Sequence, residues 1–487
     1  MLQHGRIQIG LQIRRVDGDV VTAGDILVFD AQGTIRMSNN GNDLAATTLQ
    51  ARTNTGVDYV THTGTGEANY AWDYTHFHPV DAQDYLGYPG SDEIIPNTKF
   101  FGNDFNTYNS TVQDRLEDWG VWLTNTVGYD GYRLDFVRGF QEDFVADWIQ
   151  AMPLENGNQR FVVGEYWGSA PRIKSWVNTL AGLGADADAF DFPLKSSLTG
   201  MANGSGSNWD MRWLNHAGMV RDAGGNSLPG TSIVTFVENH DTGKEHDKWV
   251  TKDWDMAYAY LLFAEGRPTV FYSHYYGVQQ IDAHDANHTI QAPASLRADI
   301  ETMMHVRRTY LDGGMIVLSD AGNPYPSGDA YNVYVARRQG NGGRSGAILV
   351  LNNHDTQTKG LWVDNAPVTG YANWANTPLV NAAAGAQDTT QVYGDGRVYV
   401  WAPPRGYAVW VPAAEYVSAS VSQHQAPGTL LHDQEALPEA FHVASNYPNP
   451  FNPSTTLPFV LPEDGRVTVR VHNALGQEVV VLLDADR

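Results

Sequence analysis

TVQDRLEDWGVWLTNTVGYDGYRLDF, residues 111–136, is a helical pattern that runs straight into a strand pattern. Val112, Leu116, Trp119 and Leu123 recur at helical spacing behind a cap at Asn109 or Ser110. YDGYRLDF (129–136) then reads as a strand, and the alternation continues downstream. RFVVGEY (160–166), DAFDFPL (188–194), SIVTFVEN (232–239) and RPTVFYS (267–273) read as strands, FVADWIQAM (144–152) and MAYAYLLFAEG (256–266) as helices. So many alternations in a row predict parallel βα units closing toward an α/β, (β/α)8 barrel.

After about residue 313 the texture changes. YNVYVARRQG, GAILVLNN, KGLWVD and RVYVWAPPRGYAVWVP are short strands between Gly, Pro and Asn turns, which predicts an all-β sandwich over 313–412. A polar stretch at 413–440 reads as a linker, and 441–487 is β-patterned again behind a proline-locked turn. The barrel is assigned to 1–312.

Composition excludes several function classes. A chain of 487 residues holds more than one hydrophobic core. With 31 Lys and Arg against 55 Asp and Glu, the formal charge of −24 repels phosphate backbones, so nucleic acid and anionic membrane are not expected partners. There is no cysteine, which removes disulfides, thiol catalysis and Cys-ligated zinc. No stretch approaches the roughly 20 apolar residues of a membrane span, and the first residues carry no apolar signal core.

Three of the strands end on acids, and strand ends on one side of a barrel face a shared site. Arg133 and Asp135 are two apart and share a strand face, where the guanidinium favours an ionised carboxylate suited to a nucleophile. Glu165 follows an apolar run and is bracketed by Tyr166 and Trp167, surroundings that favour a protonated general acid. Asp241 follows the strand 232–239 with His240 beside it. One ionised and one protonated carboxyl, with a third acid to steady a cationic transition state, are the apparatus of glycoside hydrolysis.

GYDGYRLDFVRG, VVGEYW and FVENHD resemble, in order, three sequence regions of the α-amylase family, glycoside hydrolase family 13. RPTVFY (267–272) resembles its eighth strand, 313–412 its C-terminal β-domain, and NYAWDYTHFHP (69–79) part of a small domain inserted after strand three, here about 63–108. The resemblance implies hydrolysis of α-1,4-glucosidic bonds in starch or malto-oligosaccharides by a retaining mechanism. Asp135 would be the nucleophile, Glu165 the general acid/base and Asp241 the transition-state stabiliser. Arg133 would orient the nucleophile; His240, His62, Arg138, Tyr166 and Trp167 would meet the sugar. The catalytic carboxyls of such a pair stand roughly 5–5.5 Å apart. The resemblance also implies a Ca²⁺ between barrel and insert, with Asp104 and the Gly139 carbonyl among its ligands. Transglycosylation through the same intermediate, and a catalytically impaired glucan-binding fragment, remain open alternatives.

Both ends depart from a simple amylase. The family's first region, D-x-V-x-N-H, finds its nearest match in Asp58–His62, one residue short and without the Asn, which should weaken calcium. FDAQGTIRMSNNGNDLAA (29–46) faintly resembles a loop and the start of a helix after strand two; nothing matches strand one. The sequence therefore reads as a fragment, or as one damaged at its start, with the barrel incomplete at its N-terminus. YPNPFNPSTT (447–456) and the residues after it resemble part of a type IX secretion sorting domain. That implies the secretion machinery as a partner and a secreted or cell-surface location.

Overall fold

The computed structural model describes residues 104–244, 248–277, 296–320 and 328–419, together with His76 and Tyr325; elsewhere only the backbone of isolated strands is described. Its chain divides into two compact units, Met1–Val421 and Ser422–Arg487.

In the first unit, five strands lie side by side in chain order: β1 (Gly131–Leu134), β2 (Phe161–Gly164), β3 (Asp188–Phe190), β4 (Ile233–Thr235) and β5 (Arg267–Pro268). Every neighbouring pair is parallel. Helix α1 (Ser110–Trp122) precedes them, and α2 (Glu142–Ala151), α3 (Ala170–Gly182), α4 (Phe192–Asn203) and α5 (Trp254–Phe263) make the crossovers. This is the expected succession of βα units, an arc of the (β/α) barrel. Asn109 caps α1 by accepting from the Thr111 N–H, and the helix continues as a π-turn over Leu123–Val127.

The strands are shorter than the sequence pattern suggests, because their C-terminal residues leave the sheet to build loops and caps. DAFDFPL stops pairing at Phe190. Asp191 then turns inward, accepts from the Leu194 N–H at 2.9 Å and the Met219 N–H at 2.8 Å, and starts α4. RPTVFYS keeps only its first two residues in the sheet and ends in the short helix α6 (Tyr272–Tyr276).

Helix α5 is apolar on all sides, and Met256 through Phe263 are all buried. A helix patterned this way must be covered all round. Its residues share one core with α7 (Arg297–Tyr310) and with Leu349, Leu351, Val409 and Val411 of the β-sandwich. The C-terminal turn of α5 and the loop behind it are closed by two arginines. Arg307 of α7 donates to the carbonyls of Leu262, Ala264 and Gly266, and Arg338 of the sandwich to those of Phe263 and Ala264.

The sandwich sets one antiparallel sheet against a two-stranded partner. The larger sheet has the order β6 (Met315–Val317), β7 (Val333–Arg338), β8 (Ala347–Asn352), β13 (Gly406–Pro412), β10 (Pro378–Asn381), β11 (Thr389–Gln391). The smaller pairs β9 (Lys359–Asp364) with β12 (Arg397–Ala402). Val333, Val335, Ile348, Val350, Leu361, Val363, Val398 and Val400 fill the space between them. The stretch read as a linker from 413 begins docked: Val417 donates to Tyr310 Oη at 2.8 Å and its carbonyl accepts from it at 3.2 Å.

Upstream, Thr34–Asn39 is the central strand of a three-stranded sheet, antiparallel to Asp25–Phe29 on one side and Asn42–Thr48 on the other, where a loop and the start of a helix were expected. Val57–Tyr59 pairs with Tyr70–Trp72, and Phe77–His78 with Asp104–Phe105. In the second unit, Arg466–His472 pairs with Glu478–Asp486 and His442–Val443 with Phe459–Val460. Among the described residues no helix is long and apolar enough to cross a membrane.

Candidate active site

Arg133 stands within β1, two residues before Asp135, and its guanidinium bridges two acids. Nη1 lies 2.7 Å from Asp135 Oδ1 and Nη2 lies 3.1 Å from Glu165 Oε1. The nucleophile and acid candidates are thus gathered around one cation at the C-terminal ends of adjacent strands. Their exposures differ sharply, 70% for the Asp135 side chain and 8% for Glu165.

A backbone turn completes the cluster. Phe136 has φ 48° and ψ 46°, a left-handed conformation that costs a non-glycine residue about 1–2 kcal/mol. The turn ends the strand and aims the Phe136 N–H at Glu165, donating to Oε2 at 3.2 Å. Main-chain bonds lock the loops in register: Glu165 N–H donates to the Leu134 carbonyl at 2.8 Å and Val137 N–H to the Glu165 carbonyl at 3.3 Å. Burial pushes the Glu165 carboxyl up to about 7. Arg133 and the Phe136 N–H oppose the rise, and the charge of Asp135 adds to it. A carboxyl at that value carries a proton near neutrality, as an acid catalyst must.

His240 and Asp241 form a second pair at the same end of the sheet, with Nε2 and Oδ2 3.3 Å apart and both side chains partly exposed. They sit beyond β4, with β3 between them and the strand of Glu165. Asn239 shapes their turn: its Oδ1 accepts from the N–H groups of Asp241 at 3.0 Å and Thr242 at 2.8 Å.

The remaining candidates fall differently. Arg138 donates to the Trp167 carbonyl at 3.1 Å, joining the loops after β1 and β2. Trp167 stacks on Phe192 with centroids 4.8 Å apart, and the Lys248 ammonium lies 5.1 Å from its ring centre. Tyr166 corrects its expected role: it is buried in the core, 6.3 Å from Trp176 centroid to centroid, so its ring is packed rather than offered to a sugar. Its neighbour Glu165 takes the site-facing position instead. His62 and the side chain of Asp104 lie outside the described residues. Gly139 is buried in the 3-10 turn Val137–Gly139, and its N–H donates to the Phe136 carbonyl. No group of three or more His, Cys, Asp or Glu that could hold a metal comes together among the described residues.

Sequence reasoning passed over Glu238. It is buried, lies 2.6 Å from His274 Nε2 through Oε2, and accepts from the Val250 N–H through Oε1. A charged residue at the last apolar position before Asn-His-Asp was the available signal.

Five parallel βα units thus carry a bridged acid pair at the C-terminal rim of their sheet. Over 248 residues, 50% of this chain, it is 32% identical to an alpha-amylase of Geobacillus stearothermophilus, covering 39% of that protein. Over 325 residues, 64% of this chain, it is 29% identical to a glucan 1,4-alpha-maltohexaosidase of Bacillus sp. (strain 707), covering 54% of it. An alpha-amylase structure from Malbranchea cinnamomea superposes with a TM-score of 0.50 at 16% identity, covering 66% of this chain and 63% of the other. No family model matches. The chain spans about half the length of the curated relatives it matches, and over that span it is similar to them.

Proposed function

We propose that the chain is a retaining α-glucan hydrolase that cleaves α-1,4-glucosidic bonds of starch or malto-oligosaccharides. The observation that carries this is the Arg133 bridge between exposed Asp135 and buried Glu165, with Glu165 pushed up to about 7. In the first step Asp135 attacks the anomeric carbon while Glu165 gives its proton to the departing glycosidic oxygen. In the second, Glu165 takes a proton from water, which displaces Asp135 from the sugar. Arg133 orients Asp135, Asp241 steadies the cationic transition state and His240 binds the reacting ring. Arg138 and Trp167 shape the wall behind Glu165.

The domain division belongs to the same proposal: barrel 1–312 with an insert at about 63–108, sandwich 313–412, linker 413–440 and sorting segment 441–487. So do Ca²⁺ held in part by Asp104 and Gly139, a sugar contact at His62, and export by type IX machinery to the medium or cell surface. Their support is the sequence resemblance described above.

The test is reducing-sugar release from soluble starch with added Ca²⁺, comparing the chain with its Asp135→Asn variant. Release that disappears in the variant supports the assignment; equal release from both refutes it.

A further inference from the structure

Where the chain leaves the loop of His240 and Asp241, its backbone is clamped residue by residue. The Lys195 ammonium, buried in the first turn of α4, donates to the Lys248 carbonyl at 2.5 Å and to Thr199 Oγ1 at 2.6 Å. Asn203, the last residue of α4, donates to the Trp249 carbonyl at 2.9 Å and accepts from the Thr251 N–H at 2.7 Å. Glu238 accepts from the Val250 N–H between them. Four consecutive residues are fixed in this way, so the Lys248 side chain starts from a set position.

That position is over Trp167. The ammonium stands 5.1 Å from the ring centre, while Phe192 stacks on the same ring with centroids 4.8 Å apart and planes 20° from parallel. Phe192 is buried and met edge-on by Phe236, with centroids 5.2 Å apart. A ring stacked on one side keeps one face for a ligand, and a cation is drawn to that face by its π-electrons. Trp167 stands two residues beyond Glu165, and its carbonyl accepts from Arg138 at 3.1 Å. An acid that protonates the departing glycosidic oxygen faces the departing sugar, so the wall continuing from Glu165 meets that sugar. The acceptor of the second step enters on the same side. There the ester between Asp135 and the sugar is broken by whichever hydroxyl reaches it, water's or a sugar's, and the proton passes to Glu165. Water needs no platform, whereas a sugar gains residence by lying against an aromatic ring.

We propose that Lys248 is a specificity-determining residue. Its ammonium covers the face of Trp167 that Phe192 leaves, denies a sugar its stacking place beside Glu165, and so leaves the glucosyl-enzyme to water. A sugar that lay there would first have to displace a cation whose backbone is held in place. The proposal rests on the proposed retaining mechanism for the identity of the ligand.

The test is calorimetric binding of maltohexaose, long enough to span both sides of the cleaved bond, to the full chain carrying Asp135→Asn. This readout needs no turnover. Lys248→Ala should tighten binding about threefold to fivefold, while Lys248→Arg, which keeps a cation over the ring, should bind as the parent does. Adding Trp167→Leu to Lys248→Ala should abolish the gain, because the uncovered ring supplies it. Unchanged or weaker binding in Lys248→Ala, an equal gain in the double variant, or no binding by parent and variant alike would overturn the proposal. Thermal unfolding of each variant separates lost binding from lost folding. With Asp135 intact, the ratio of transfer products to hydrolysis products from maltotetraose should rise about threefold in Lys248→Ala, and an unchanged ratio would overturn the acceptor role. No sugar release by the chain with Asp135 intact counts against the hydrolytic reading alone, and the binding series still decides the role of Lys248.

Discussion

His274 Nε2 lies 2.6 Å from Glu238 Oε2, and both side chains are almost wholly buried. The same carboxylate accepts from the Val250 N–H, and Tyr258 Oη sits 3.0 Å from His274 Nδ1. Glu238 and Val250 bracket the loop that bears His240 and Asp241, so this acid anchors both ends of that loop to the helix after β5. Replacing Glu238 with Ala leaves His274 and a backbone donor buried without their acceptor. The expected cost is about 3–5 kcal/mol in denaturant unfolding. A loosened loop should lower kcat more than it raises KM, and an unchanged kcat in the folded variant would reject the anchoring role.

In the proposed mechanism the acidity of Glu165 should set the upper pH limit of turnover. Its carboxyl titrates at about 7 in the folded chain against an ordinary value of 4.5. The acid works only when protonated, so kcat/KM should fall about tenfold per pH unit above 7. The same shift makes stability pH-dependent with a definite sign. The folded state holds the proton more tightly, so its contribution is complete below pH 4.5 and is lost as pH rises through about 7. Glu165→Gln should remove that dependence, on the order of 3 kcal/mol across the window, and abolish turnover.

Gly164 is the last residue of β2, directly before Glu165. A methyl group there would be driven into the ring of Trp176, which is fully buried and cannot withdraw. Gly164→Ala should therefore destabilise by about 1–3 kcal/mol and disturb the Glu165 loop. Pairing it with Trp176→Phe should recover part of the melting temperature.

Arg405 holds the barrel to the sandwich from a strained backbone, φ 50°. Its guanidinium donates to Asp253, to the Asn353 carbonyl at 2.7 Å and to the Ala202 carbonyl at 2.9 Å. Arg405→Ala should cost about 2–4 kcal/mol, and Lys should rescue little, because a single ammonium cannot reach three acceptors in a planar fork. Calorimetry of both variants measures this.

The parallel arc and the sandwich were legible because apolar runs, helical spacing and turn residues alternate plainly through residues 111–412. The apolar neighbours of Glu165 made the burial that raises its carboxyl legible. Lengths were not: Asp191 and Phe136 end their strands through side-chain capping and a left-handed turn, neither of which hydrophobic spacing encodes. Tyr166 was expected at the sugar from the family resemblance, and its packing against Trp176 appears only in the folded chain. Glu238 was overlooked because its partner, His274, is distant in sequence and the two meet only in the folded chain.

Arg307 and Arg338 close the end of α5 from positions well downstream of it. During synthesis α5 leaves the ribosome before either arginine exists. The apolar faces of α5 are covered only when α7 and the sandwich strands are in place, so the last βα units and the sandwich make one cooperative folding unit.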